Sequence, residues 1–328
     1  MFALLASSAL AVVLTPTSGG SFTDADGAVW SLNSAGDVIK NGQAVPGGSG
    51  TSALTQTTWA QDSATGGWYY WNGLDPSPVQ ATTFADDFNS LSLYNWRNPS
   101  AGGTWRPASW YSPNDDGYAV NQGWMVNPFN PATPYTSLYT AANGVARLGI
   151  QNNVDCGSAC ENQPYLGSQL LTQSFAQLYG YFEARIATPQ VAGTGFAFWL
   201  MSASTWPPEI DIVEIVTTST SSPAIAAQTV WDVTTSSIAG QCYSYETFPN
   251  YNATQFHTYG VDWTSATVTF YIDRIARCSF PTPTGYTAPM FPILSSQQGG
   301  DWSGPIPSGA TLGPMQVDYV KVWASKPF

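Results

Sequence analysis

The sequence predicts an all-β fold, on three observations. After the amino terminus no stretch repeats apolar residues at sustained helical spacing. Short runs of Thr, Val, Ile, Tyr and Phe recur instead, separated by Gly, Pro and Asn turns. Charged residues make up only 9% of the chain, against roughly 25% in an average soluble protein, while aromatic residues reach 14%.

Taken in order, residues 1–18 hold an apolar run, Phe2 to Leu14, of signal-peptide length and too short to span a membrane. No Lys or Arg precedes it, the first being Lys40, so it reads as an atypical signal segment and predicts export. No other segment reads as transmembrane, so no membrane insertion is expected. Residues 19–73 alternate strand-like runs with turn signals at 25–27, 34–36 and 64–67, and close on Trp68-Tyr-Tyr-Trp71. They predict a small β module whose aromatics fill its own core, since so small a unit needs every large side chain. Within it, Asp24-Ala-Asp26-Gly27 lacks the later ligands of a calcium loop and reads as a hairpin turn. Residues 74–81, with Pro76 and Pro78, read as a stiff linker. Residues 82–328 form the main domain.

The formal net charge is −12, with nine basic residues spread along the chain. That excludes nucleic acid, which needs clustered Lys and Arg against phosphates, and disfavours sulfated or polyuronate ligands. A polar, uncharged, aromatic-rich surface suits neutral sugars, whose C–H faces stack on rings while hydroxyls seek hydrogen bonds. Four cysteines, Cys156, Cys160, Cys242 and Cys278, fit two disulfides, with three pairings formally open. A zinc site is disfavoured, because the chain holds one histidine, His257.

Two of the five glutamates fall in one hexapeptide, Glu209-Ile-Asp211-Ile-Val-Glu214. The surrounding Ile and Val residues favour a strand, on which Glu209 and Asp211 share a face. Strict alternation puts Glu214 on the opposite face. One extra residue in a bulge near Ile212 and Val213 returns it to the acidic side. Like charges on one face destabilise a strand, so a merely solvated acidic face is the weaker reading. Three carboxyls on a rigid apolar ribbon are the layout of a glycosidase, where one carboxylate attacks and a second carboxylic acid protonates the leaving oxygen.

Further motifs occur in a fixed order around this hexapeptide. They are Phe84-Ala-Asp-Asp-Phe88, Tyr179-Gly-Tyr-Phe-Glu-Ala-Arg185, Ala197-Phe-Trp199-Leu, Phe256-His-Thr-Tyr-Gly-Val-Asp-Trp263, Gly299-Gly-Asp-Trp302 and Met315-Gln-Val-Asp-Tyr-Val-Lys-Val-Trp323. In this order they closely resemble glycoside hydrolase family 16, the family of laminarinases, lichenases and related endo-glycanases, over nearly all of 82–328. The resemblance implies a concanavalin-like jelly-roll β-sandwich with substrate along its concave sheet. Through the bulged version of the family motif it implies Glu209 as nucleophile, Glu214 as general acid/base and Asp211 as the carboxyl that tunes its neighbours. It implies no redox or organic cofactor. A structural calcium is left open, since Asp318 matches a strand that holds one in some relatives but is a single ligand.

Trp206 and Trp199 are the first candidates for sugar platforms, then Trp302, then Trp110 and Trp124; core packing competes for each. Arg185 is read as balancing a buried carboxylate. His257 is read as a hydrogen-bonded framework residue, because no G-x-S-x-G elbow accompanies it. Three places depart from laminarinase-like members: Gly195-Phe196-Ala197, Gln169 where an arginine is common, and 294–298. All fall on expected substrate contacts, so the glycan stays open between β-1,3-glucan, mixed β-1,3/1,4-glucan and a glucan-like exopolysaccharide. The leading expectation is a secreted, monomeric, retaining endo-β-glucanase. A transglycosylase using the same carboxyls and a non-catalytic glycan-binding or adhesion protein are the alternatives.

Overall fold

The computed structural model describes residues 82–107, 117–153, 155–202, 206–219, 221–248 and 251–328, with the backbone alone at 246 and 247. Before residue 82 it describes only the backbone of short strands, among them Val29–Leu32 paired with Val38–Lys40 and Thr58–Gln61 paired with Trp68–Trp71. Most of the expected signal segment, most of the amino-terminal module, most of the linker and Trp110 lie outside the described residues.

The main domain is almost wholly antiparallel β. In chain order the strands that matter are β1 (Trp105–Pro107), β2 (Gly117–Val120), β3 (Gly123–Val126), β4 (Tyr139–Ala142), β5 (Val145–Leu148) and β6 (Tyr165–Gly167). Next come β7 (Gln169–Thr172), β8 (Gly180–Ala187), β9 (Thr194–Ser202), β10 (Glu209–Thr217), β11 (Ile225–Trp231) and β12 (Ile238–Tyr243). The last are β13 (His257–Trp263), β14 (Thr267–Ile272), β15 (Ile275–Pro281), β16 (Met290–Gln298) and β17 (Met315–Trp323).

One sheet runs β1-β7-β16-β9-β10-β11-β12, with the acidic strand β10 near its middle. The other runs β4-β5-β17-β8-β13-β14-β15. Strands β2, β3 and β6 belong to a small separate sheet. Between the large sheets the β-branched and aromatic side chains that favour strands are buried: Ile210, Ile212 and Val213 from the acidic strand, Phe182, Trp263 and Phe270 from the opposite sheet. A disulfide between Cys242 of β12 and Cys278 of β15 ties the edges of the two sheets together. The second disulfide, Cys156 to Cys160, closes a local loop, so of the three possible pairings the structure adopts the one that joins cysteines nearest in sequence.

A fully buried carboxylate, Glu183 on β8, anchors the second sheet. The Arg274 guanidinium donates to both its oxygens, from Nη2 at 2.7 Å and Nε at 2.9 Å, and Tyr181 and Tyr319 add hydroxyl donors at 3.0 and 2.8 Å. Four donors satisfy a charge that would otherwise be costly to bury. Arg274 and Asp273 form the two-residue β14–β15 hairpin turn, both left-handed at φ 60° and 52°. Turns of this hand usually take Asn or Gly. Here the Arg274–Glu183 pair offsets the strain, and Asp273 accepts from the Thr258 amide and lies 2.7 Å from His257 Nδ1. His257 is thus a framework residue. Arg185 pairs with the partly exposed Asp318 at 2.8 Å, which corrects the expectation that it balances a buried carboxylate. That carboxylate, Glu183, is held by Arg274.

Candidate active site

The acidic strand carries a bulge at the predicted place. Against β11, Asp211 lies opposite Thr229 and Glu214 opposite Ala227, so Ile212 and Val213 together face the single residue Gln228. Against β9, Val213 faces Phe198 and Asp211 faces Trp199, leaving Ile212 as the extra residue. The added residue restores phase: Glu209, Asp211 and Glu214 all line one cleft of about 210 Å³. Ile212 and Val213 stay buried in the core beneath.

The cleft walls come from four directions. Trp199 and Ala197 of β9 lie beside the acids, Ser295, Ser296 and Gln297 of β16 beyond them, and Gln169 of β7 beyond those. Tyr118 and Val120 of β2 and Met125 of β3 complete the wall, with the Tyr118 hydroxyl donating to Gln169 Oε1 at 2.6 Å. Apart from the three carboxyls, every described residue lining the cleft is uncharged.

Each carboxyl has its own donors. The Trp206 indole N–H donates to Glu209 Oε2 at 2.6 Å, and that of Trp231 donates to Asp211 Oδ2 at 2.9 Å, with the two rings 5.8 Å apart. The Tyr286 hydroxyl lies 2.6 Å from the carbonyl oxygens of both Glu209 and Trp231, pinning the start of β10 to the end of β11. Burial raises the affinity of all three carboxyls for protons. For Glu209, hydrogen bonds from Trp206 and Asp211 work against burial. Asp211, only 4% exposed, is pushed well up by burial, then by the charges of Glu209 and Glu214. Its bond to Glu209 raises Asp211 and lowers Glu209, which favours the proton on Asp211. Glu214 is pushed up to about 7, by burial first and the Glu209 charge second, with a Gln297 hydrogen bond opposing. For Glu214 desolvation is therefore the larger cause, and Glu209 is the neighbouring acid that adds to it.

The tryptophans divide. Trp206 is 46% exposed beside Glu209, and Trp199 lines the cleft with its indole N–H on Ser295 Oγ at 3.1 Å. Trp199 also rests on an apolar cluster of Leu171, Met201, Phe291 and Ile293. Trp302 is exposed but is not among the residues lining the cleft. Trp124 corrects the expectation of a platform: it is 7% exposed, and its neighbour Met125 lines the cleft instead. Trp231 and Tyr286 were not singled out in the sequence. Each lies far along the chain from the acid it positions, and no local pattern marks either. Among the described residues no group of three or more His, Cys, Asp or Glu side chains could hold a metal ion, and Asp318 is engaged by Arg185.

A sandwich of two antiparallel sheets, with a bulged acidic strand opening onto an otherwise uncharged cleft, defines a glycosidase-like jelly roll. Residues 135–321 match the family model of Glycosyl hydrolases family 16, and the chain belongs to that family. Two endo-1,3-1,4-beta-glycanases of Rhizobium meliloti (strain 1021), ExsH and EglC, are each 32% identical to it over 258 residues. That is 76% of this chain and 53% of each relative, so the chain spans about half the length of the curated relatives it matches. Among solved structures, the laminarinase from Rhodothermus marinus aligns with a TM-score of 0.56 at 19% identity, covering 74% of this chain and 96% of that one. SCLam, a non-specific endo-beta-1,3(4)-glucanase of the same family, aligns at 0.58 and 23%, covering 76% and 93%. At these identities the structural likeness establishes the jelly-roll fold.

Proposed function

We propose that the protein is an exported, retaining endo-β-glucanase that cuts internal β-1,3 or mixed β-1,3/1,4 bonds of a neutral polysaccharide. The observation that carries this reading is the bulge, which brings two glutamates and the aspartate between them to a single cleft. The Glu209 carboxylate attacks the anomeric carbon while Glu214 gives its proton to the departing glycosidic oxygen, leaving a glycosyl ester on Glu209. Glu214, now a carboxylate, takes a proton from water as the water oxygen attacks the same carbon and frees Glu209. Two inversions retain configuration. Asp211 holds Glu209 in place and keeps it ionised.

The uncharged cleft wall supports a neutral glycan, and the names of the Rhizobium relatives favour mixed 1,3-1,4 linkages. Export is supported by two disulfides and by the apolar run at 2–14. No observation favours transglycosylation or binding without catalysis.

Reducing-end release from laminarin, lichenan and barley β-glucan tests the reading, with Glu209→Gln and Glu214→Gln alongside. Activity on at least one polymer, lost in both variants, is expected, and proton NMR should first detect the β-anomer. Undiminished hydrolysis in either variant, or an α-anomer as first product, refutes the assignment.

A further inference from the structure

The row of side chains that contains Glu214 does not end at the cleft. Residues opposite one another on neighbouring antiparallel strands share a face. The register therefore lays Gln169, Ser295, Ala197, Glu214, Ala227 and Tyr243 in one line across six strands, from β7 to β12. The first four line the cleft. An adjacent line runs Trp199, Asp211, Thr229, Gln241. Beyond the acids, Ala227 and Thr229 are buried floor, whereas Gln241 and Tyr243 are half-buried.

At the far edge these side chains are tied together. The Gln241 amide donates to Thr229 Oγ1 at 3.0 Å, and the Tyr243 hydroxyl donates to Gln241 Oε1. Tyr245 then stacks on Tyr243 with ring centroids 5.2 Å and planes 12° apart, and is itself 63% exposed. A pre-stacked ring loses little freedom when a ligand covers its outer face. From β10 to β12 is two strand spacings, about 10 Å, and every side chain added by the two lines beyond the acids is uncharged.

We infer that Gln241, Tyr243 and Tyr245 form a sugar subsite at the edge of the cleft sheet. It takes a neutral pyranose of the same glucan chain, away from the bond that breaks. The C–H face of that sugar rests on Tyr245, and its hydroxyls meet the Gln241 amide and the Tyr243 hydroxyl. This inference rests on the glucanase reading above and assigns that cleft an extra point of contact with long chains.

Calorimetry on Glu209→Gln protein, which holds glucan without cutting it, separates the two readings. The probes are a trisaccharide and a long oligosaccharide of the polymer that the wild-type enzyme hydrolyses, with barley β-glucan fragments tried first. Adding Tyr245→Ala should weaken the long oligosaccharide about tenfold and the trisaccharide less than twofold, and Tyr245→Trp should restore the long one. Tyr243→Phe, which keeps the ring and removes the hydroxyl, should give a smaller loss in the same direction. Equal affinity for the long oligosaccharide with and without the Tyr245 ring would overturn the subsite while leaving the glucanase reading intact. Failure of the Glu209→Gln protein to bind any fragment, with a wild type inactive on every polymer, would overturn both.

Discussion

Glu209→Gln removes one charge from beside Glu214 and keeps its shape, so it isolates how the two glutamates act on each other. Glu214 stands at about 7 against the usual 4.5, a difference of 2.5 (7 − 4.5) that corresponds to about 3 kcal/mol. Burial is the first cause and the Glu209 carboxylate the second. At an effective dielectric constant of about 20, charges about 5.5 Å apart, the spacing a double displacement uses, repel by roughly 3 kcal/mol. That sets a ceiling of about two pH units on the Glu209 contribution. Burial survives the substitution, so Glu214 should stay above an ordinary glutamate and titrate at about 5 to 6. Carbon-13 labelling of glutamate leaves only five side-chain carboxyls to assign in the wild type and four in the variant, which makes a direct NMR titration practicable. If Glu214 still titrated at about 7 in the variant, the two carboxyls would not be sharing a site, and the double-displacement geometry would fall. A wild-type Glu214 titrating like an ordinary glutamate would remove the basis for calling it the acid.

The other predictions bear on stability and on the pH profile. Because the folded Glu214 binds its proton more tightly than the unfolded chain does, its stabilising contribution is complete below about pH 4 and is lost as pH rises through about 7. Glu214→Gln should therefore raise stability by up to about 3 kcal/mol at pH 8 and by little at pH 4, read from urea midpoints; equal gains at both would contradict this. Trp206→Phe keeps the ring but removes the donor to Glu209, so the acidic limb of kcat/KM should move up by at most about one pH unit, given the exposure of Trp206. An unmoved limb with a raised KM would assign Trp206 to sugar contact alone. Arg274→Met should cost about 3–5 kcal/mol in chemical denaturation, because it strands the buried Glu183. A loss under about 1 kcal/mol would show that Tyr181 and Tyr319 suffice.

The acidic strand was legible because its defect is visible in the sequence. Acids at 209, 211 and 214 break a period of two by one residue, and a buried apolar strand absorbs such a break only as a bulge. The cleft wall was far less legible. Tyr118, Val120 and Met125 lie some ninety residues before the acids, on a small sheet that no local pattern places beside them. Trp124 was misjudged for want of phase: tryptophan content says that rings will meet sugar, but only the register shows that Met125, one residue on, lines the cleft. The Glu183 cluster was hidden for a different reason. Its arginine sits in a hairpin turn ninety-one residues away, and Arg185, the nearer candidate, takes Asp318.

The three acids are distinguished by their donors more than by their depth. All three are raised by burial, and each charge placed in the cleft makes the next one harder to form. Glu209 receives two donors that favour its charge, from Trp206 and from Asp211 itself. Glu214 receives one, from Gln297, and faces the Glu209 charge. Asp211 accepts from Trp231, yet its bond to Glu209 strengthens its hold on a proton. The donors therefore favour charge on Glu209, while burial and that charge favour the proton on Asp211 and Glu214. A nucleophile already charged beside an acid still protonated is the state from which a double displacement starts. Trp206 and Trp231 can hold that order across pH because an indole donates without titrating. A histidine in either place would tie the order of protons to its own charge.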